Sequence, residues 1–368
     1  MRPDAEVRHQ NAGLEAPRMK PIALVTSVVT DYRREPFRML AEAEGVEVLA
    51  FRDPGPTTQL GAARLIASGR YRAVVCGLGG RLALPAAYLA ARRAGVPFVL
   101  WASIWAHPRS PAHLLSYLPT RALYRRADAV VTYGPHVTRY VTERRGHGDD
   151  VFEAPQAVSA EEFGQPVPAE LVAAARERAG AGESDFLALF VGRLVREKGV
   201  EVLLDAWREA GLGDRAALAF AGDGPLRAAV ERTGARALGA LPRSELPALY
   251  AAADTLVLPS IRTATFLEPW GLVVNEAMHQ GTPILATDAV GAVAGGLVRD
   301  GRNGLVAPQG DAGALAARLR SLAANPELRG RLGQAAREDV GAYTYAAWVA
   351  GVCEALRSVG KSRGGRSC

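Results

Sequence analysis

Two α/β lobes, each a doubly wound parallel sheet of the Rossmann-like kind, facing one another across a cleft: this is the architecture the sequence predicts. Three observations carry the expectation. The chain has 368 residues, more than one ordinary domain and enough for two of roughly 150 to 200 residues. Short apolar runs alternate with amphipathic stretches in two successive series, as strands do when joined by crossover helices. A proline-containing stretch divides the two series.

Taken in order, the opening MRPDAEVRHQNAGLEAPRMK is polar and lacks the apolar segment of a signal peptide, so residues 1–20 read as a loose arm and secretion is not expected. From Pro21 the runs ALVTSVV, VEVLAF, AVVCGL, PFVLWA and AVVTY read as strands, with Pro36–Glu44 and Leu82–Ala94 among the helices between them. They make a first lobe over residues 21–165. Pro155, Pro166 and Pro168 supply linker chemistry. FLALFVG, ALAFAG, TLVLPS and PILAT, with helices such as Glu201–Ala210 and Arg243–Ala252, then repeat the architecture as a second lobe over residues 166–344. A final amphipathic helix, Tyr345–Val359 within residues 345–360, has no strand after it. Open parallel sheets bind ligands at the C-terminal ends of their strands, so the functional residues should lie just after strands, in the cleft.

Composition narrows the class. Hydrophobic residues make up 49% and charged residues 22%, with a mean hydropathy of +0.02, which suits a chain with packed cores and argues against a disordered or fibrous one. No apolar run approaches the ~18 residues of a spanning helix. Cys76, Cys353 and Cys368 are odd in number and far apart, which fits neither a disulfide framework nor a Cys-x-x-Cys metal site and suggests a reducing cytoplasm. The six histidines form no H-x-H or H-E-x-x-H, and no Asp-x-Asp is present, so neither a metal nor a cofactor is expected. Positive charge gathers in the first lobe, net +7 through residue 155 against −1 beyond it. Its arginines are dispersed and lack aromatic interleaving, so no nucleic-acid partner is expected. Weak contact with the inner face of a membrane through this basic lobe stays open.

Two runs stand out as chemistry. In FVGRLVREKG, Phe190–Gly199, Gly192 lets the backbone turn after a strand and Arg193 and Lys198 bring two cations to the start of a helix, a place suited to a diphosphate. In LEPWGLVVNEAM, Glu268 and Glu276 are separated by seven residues. If Gly271 opens a helix, the amides of Leu272 and Val273 are unpaired at its positive end, with Glu268 just before it and Glu276 about a turn and a half inside. The two carboxylates would then flank one nucleotide sugar. G-x-G-x-x-G is completed neither by GLGGRL at Gly77 nor by GDGPLR at Gly222, and no Walker A loop is present, which argues against a dinucleotide-dependent oxidoreductase and a P-loop enzyme.

Together with AGDGPL at Ala221–Leu226 and LVRDGRNGLVAP at Leu297–Pro308, these runs resemble the retaining glycosyltransferases of family four, glycosyl transferases group 1, which have the GT-B fold. The resemblance covers most of the second lobe. It implies a second lobe that holds a nucleotide diphosphate sugar, most commonly a UDP-sugar, and a first lobe that holds a glycan, lipid-linked or small-molecule acceptor. Arg193 and Lys198 would neutralise the leaving diphosphate, Glu276 would hold the ribose and Glu268 would lie beside the transferred sugar. The final helix would cross back to the first lobe. In that lobe, YRREPF at Tyr32–Phe37 and WASIWAHPR at Trp101–Arg109 resemble segments of members that act on cell-surface glycans or secondary metabolites, and His107, a few residues later than the family's histidine, would contact the donor sugar as that residue does in relatives. The family's Pro-Asn-Gly is here Pro155-Gln156-Ala157. A GT-B phosphorylase or epimerase, or a non-catalytic sugar-nucleotide binder, would reuse the same diphosphate site.

Overall fold

The computed structural model describes residues 19–52, 55 and 57–364. Most of the expected arm, residues 1–18, and Cys368 lie outside them. The first lobe holds β1 (Ile22–Thr26), β2 (Val46–Ala50), β3 (Ala73–Gly77), β4 (Phe98–Ala102), β5 (Ala129–Thr132) and β6 (Val151–Glu153), and the second holds β7 (Phe186–Val191), β8 (Ala216–Ala221), β9 (Arg236–Gly239), β10 (Thr255–Leu258), β11 (Ile284–Thr287) and β12 (Gly304–Ala307). Each set forms one six-stranded sheet, ordered β2-β1-β3-β4-β5-β6 and β12-β11-β10-β7-β8-β9, and every strand pair within both is parallel. The strand order reverses direction beside β1 in one lobe and beside β7 in the other. Those two switch points open crevices at the C-terminal strand ends.

The strands read as continuous apolar runs because helices cover both faces of each sheet. All six residues of β7 are buried, and its two faces feed separate cores: Leu187, Leu189 and Val191 join one, Ala188 and Phe190 the other. The helix Val200–Ala210 buries Val200, Leu203, Leu204, Ala206 and Ala210, the recurrence expected of one helical stripe, and ends in left-handed Gly211.

Several boundaries differ from expectation. β1 ends at Thr26 and leaves Ser27–Thr30 as a loop. The following helix begins at Asp31, five residues before Pro36, which sits buried inside it. That shift puts Arg33 in the first helical turn with its side chain buried against the sheet. Arg243–Ala252 is not one helix: Arg243–Glu245 forms a 3₁₀ turn and the α-helix starts at Leu246, where Pro247 favours a first-turn position. The terminal helix runs from Tyr345 to Gly364. Its Trp348, Val352, Ala355, Leu356 and Val359 pack into the core of the first lobe with Ile22, Leu24, Phe37 and Trp101. Among the described residues, no helix is long and apolar enough to cross a membrane.

The terminal helix approaches β6 so closely that a Cβ on Gly351 would lie 2.0 Å from the Glu153 carbonyl oxygen. Gly351→Val should therefore push the helix off the first lobe, at a cost of about 1–3 kcal/mol. Limited proteolysis checks this: cleavage beyond residue 340 should appear at protease concentrations that leave the native chain whole, and equal resistance would show that the docking tolerates the added side chain.

Candidate active site in the interlobe cleft

The loop after β7 is built by backbone bonds to the loop after β8. Gly192, at φ +149°, donates its N–H to the Ala221 oxygen at 2.9 Å, Leu194 donates to Asp223 at 2.9 Å, and Leu226 donates back to Leu194 at 3.0 Å. AGDGPL thus serves as the buttress of Gly192-Arg193-Leu194. LVRDGRNGLVAP likewise braces structure away from the chemistry. The buried Asn303 side chain accepts from the Arg299 N–H and donates to the Leu297 oxygen and the Asp339 carboxylate, each at 2.8 Å.

Beyond that buttress the chain makes a 3₁₀ turn over Arg196–Lys198. Lys198 Nζ meets Glu268 Oε2 at 2.5 Å, and the same carboxylate oxygen accepts from the Ser260 hydroxyl at 3.0 Å. Glu268 is buried, so its carboxylate is desolvated and removing Lys198 would leave that charge uncompensated. Arg193 stands apart, largely exposed, and among the described residues it pairs only with Glu197, at 3.3 Å. Its guanidinium is free to turn into the cleft.

Gly271 opens the helix Leu272–His279 at φ +96°, and a Cβ there would lie 2.6 Å from Leu258 Cδ2, so both its conformation and its surroundings require glycine. The Leu272 and Val273 N–H groups have no acceptor among the described residues. They form the positive end of this helix, an anion site in its ordinary sense. Glu276, one turn further in, is buried and accepts from Tyr250 Oη at 2.7 Å, with Arg243 Nη1 at 3.4 Å. Burial pushes its carboxyl above the usual carboxylate range, against the opposing pull of Tyr250 and Arg243. Arg243 also donates to Glu162 of the linker at 2.7 Å. The two glutamates therefore belong to different networks, one with Lys198 and Ser260, the other with Tyr250 and Arg243.

The first lobe reaches across at the segment that precedes the helix. Trp105 Nε1 donates to the Glu268 carbonyl at 3.0 Å, and His136 Nε2 lies 3.1 Å from the Pro269 carbonyl. Trp270 Nε1 donates to Asn275 at 2.7 Å, Asn275 donates to the Gln156 carbonyl at 3.0 Å, and the Gln156 side chain accepts from Arg33. Gln156, which replaces the family's asparagine, thus serves the seam between lobes.

His107 is placed differently from Lys198 and Glu268. Its Nε2 contacts the His113 carbonyl at 2.7 Å and its ring meets Tyr117 edge-on. It lines a cavity of about 490 Å³ with His136, Arg139, Arg144 and Arg262, flanking rather than joining the glutamate networks. Cys76 is buried and its thiol is pushed up to about 12, an inert core residue. Among the described residues no group of three or more His, Cys, Asp or Glu side chains is placed to hold a metal.

Sequence reasoning missed Tyr250, Arg243, Ser260, Trp105 and His136. Tyr250 and Arg243 lay in a stretch that read as helix, and only WASIWAHPR hinted at Trp105.

Two parallel doubly wound sheets with these loops at facing strand ends define the GT-B architecture. Residues 173–339, nearly all of the second lobe, match the family described as Glycosyl transferases group 1. Part of the chain is 35% identical to the sulfoquinovosyl transferase SQD2 of Arabidopsis thaliana, over 44% of this chain and 31% of that protein. Another relative is the alpha-D-kanosaminyltransferase of Streptomyces kanamyceticus, 33% identical over 43% of this chain and 42% of that protein. The matches thus span less than half the length of either relative. Among solved structures, Anabaena Alr3699/HepE in complex with UDP and glucose superposes with a TM-score of 0.71 at 19% identity, covering 92% of this chain and all of that one. The sucrose-phosphate synthase of Thermosynechococcus elongatus superposes at 0.74 and 21%, covering 93% and 100%. At such identities the likeness is one of fold.

Burial pulls the His136 imidazole down to about 4, even though its contact with the Pro269 carbonyl favours the proton. A folded-state value below the unfolded ~6.5 means that stability is complete above pH 6.5 and declines as pH falls toward 4, by on the order of a few kcal/mol at most. Urea midpoints of the native chain should fall between pH 7 and pH 5 more steeply than those of His136→Gln. His279 shifts in the same direction and is present in both, so the difference between the curves reads His136. Parallel curves would show that His136 is not a titrating member of the seam.

Proposed function

We propose that this protein is a retaining glycosyltransferase that moves a sugar from a nucleotide diphosphate sugar, a UDP-sugar in the first instance, to a hydroxyl of an acceptor seated in the first lobe. The observation that carries the reading is the convergence of Lys198, its partner Glu268 and the unpaired Leu272 and Val273 amides at the C-terminal ends of β7 and β10. The family of the second lobe and the transferase names of its relatives support it, as does the binding of UDP by the Anabaena protein.

In this reading the bond between the anomeric carbon and the diphosphate oxygen breaks while the acceptor hydroxyl oxygen bonds that carbon on the same face and gives its proton to the departing diphosphate oxygen. Negative charge grows on the departing diphosphate; Lys198 and the two amides are aimed at it in advance, and Arg193 turns in from its exposed position to join them. Glu268 holds Lys198 in place and faces the sugar. Glu276, kept in orientation by Tyr250 and Arg243, receives the ribose hydroxyls. The cations and the helix end take the role a divalent metal fills elsewhere. Exposed Leu115 and Leu118 on the helix Pro111–Arg126, with Arg125 and Arg126 at its end, would supply weak contact with a membrane that carries the acceptor.

Lys198→Ala and Arg193→Ala should each lower turnover by about a hundredfold, the usual loss for one preorganised donor. Glu276→Gln should weaken binding of free UDP, whose ribose it would hold, by about 1.5 to 3 kcal/mol. Glu268→Gln should leave that affinity intact and reduce kcat. Calorimetry with UDP and initial rates of nucleoside diphosphate release decide the matter: equal loss of UDP affinity in both glutamate variants would merge their roles, and turnover that needs phosphate but no acceptor would mark a phosphorylase.

Activity should persist in EDTA. Loss of turnover in the chelator, restored by magnesium or manganese, would assign a metal to the diphosphate instead.

A further inference from the structure

The first lobe holds a second cavity, of about 360 Å³, at the C-terminal ends of β1, β3, β4 and β5. Its polar wall is made of Thr26, Ser27, Thr30, Tyr32, Arg33 and Ser103, and among the described residues no carboxylate lines it. Arg33 is only 5% exposed. It has no ion pair among the described residues, and its side-chain hydrogen-bond partners are neutral, Gln156 and the Tyr133 hydroxyl. Aromatic faces surround it instead: its guanidinium carbon lies 4.8 Å from the Trp101 ring, 5.1 Å from Tyr32, 5.3 Å from Trp348 and 5.7 Å from Tyr133. Burial pushes the Tyr133 phenol up, so that ring brings no counter-charge. Cation–π contacts compensate a buried guanidinium only in part. Two further donors in the wall, the Thr30 hydroxyl and the Trp101 indole N–H, are buried without an acceptor. A cavity with a fixed cation, surplus donors and no anion is built to receive an oxyanion.

We propose that this cavity binds an oxyanion group, carboxylate or phosphate, carried by the acceptor, so that Arg33 selects anionic acceptors. The proposal rests on the reading of the first lobe as the acceptor lobe, but anion binding is measured without transfer. Ile104 in the cavity wall adjoins Trp105, which reaches the Glu268 segment, so a ligand anchored here presents its remaining atoms toward the cleft.

The test titrates the full-length chain with glycerol 3-phosphate, glycerate and glycerol, reading the fluorescence of Trp101 and Trp348 stacked on Arg33 together with thermal stabilisation. At least one anion should give a saturable response, the two anions separating phosphate from carboxylate, while glycerol should give none. Arg33→Gln should weaken the response at least tenfold and Arg33→Lys should retain part of it. Lys198→Ala should leave it unchanged. Equal responses to glycerol and to the anions, or an undiminished response in Arg33→Gln, would overturn the proposal. So would a response lost in Lys198→Ala and kept in Arg33→Gln, which would assign the anion to the second lobe. If Arg33→Gln does not fold, Thr30→Val takes its place, with several-fold weaker binding expected and native affinity overturning the proposal. A failure here with normal UDP release in the presence of a neutral acceptor would leave the transferase reading standing.

Discussion

The constraint on which the rest of the structure depends is that the start of one helix, Leu272–His279, is held by both lobes at once. Carbonyls of the residues before it, Glu268 and Pro269, meet Trp105 and His136 of the first lobe, while Trp270 is tied through Asn275 and Gln156 to Arg33. A net hydrogen bond is worth only about 1 kcal/mol, but a buried group left without its partner costs about 1–3 kcal/mol. A seam made of such bonds is therefore strict about geometry without being a large source of stability. Its consequence is that the helix amides and Glu268 keep their aim only while the lobes keep their spacing.

The electrostatics of the cleft follow from that placement. A buried carboxylate needs a partner, and Glu268 and Glu276 each have their own: Lys198 for the first, Tyr250 and Arg243 for the second. Opposite charge at 2.5 Å keeps Lys198 extended toward the helix end. Arg243 links Glu276 to Glu162, so a buried helix carboxylate of the second lobe and the segment between the two sheets share one cation.

Much of the second lobe was legible in the sequence, because its loops are short and their residues act near where they stand in the chain. Gly271 had to be glycine, Glu268 and Glu276 had to fall on opposite sides of a helix start, and Lys198 had to precede a helix. Other parts of the same motifs turned out to brace the fold: AGDGPL supports the loop after β7, and Asn303 pins the approach to β12. A run of residues looks the same whether it touches a ligand or a neighbouring loop. The buried Arg33 was hidden for a further reason, since Pro36 suggested a helix start that would have left Arg33 in an exposed loop.

What the sequence by itself determined was the two parallel sheets and the cluster of charged and glycine residues at the strand ends. Those features arise from periodicity and turn chemistry, which act over a few residues. Only the tertiary structure decided which charges are paired, that Glu276 is occupied by Tyr250 and Arg243, that His107 flanks the glutamates, and that Arg33 is a buried cation among aromatic rings. Each of these depends on contacts between residues separated by tens to more than a hundred positions, and a hydrogen bond or a desolvated charge is defined by where both partners come to rest, which no local pattern encodes.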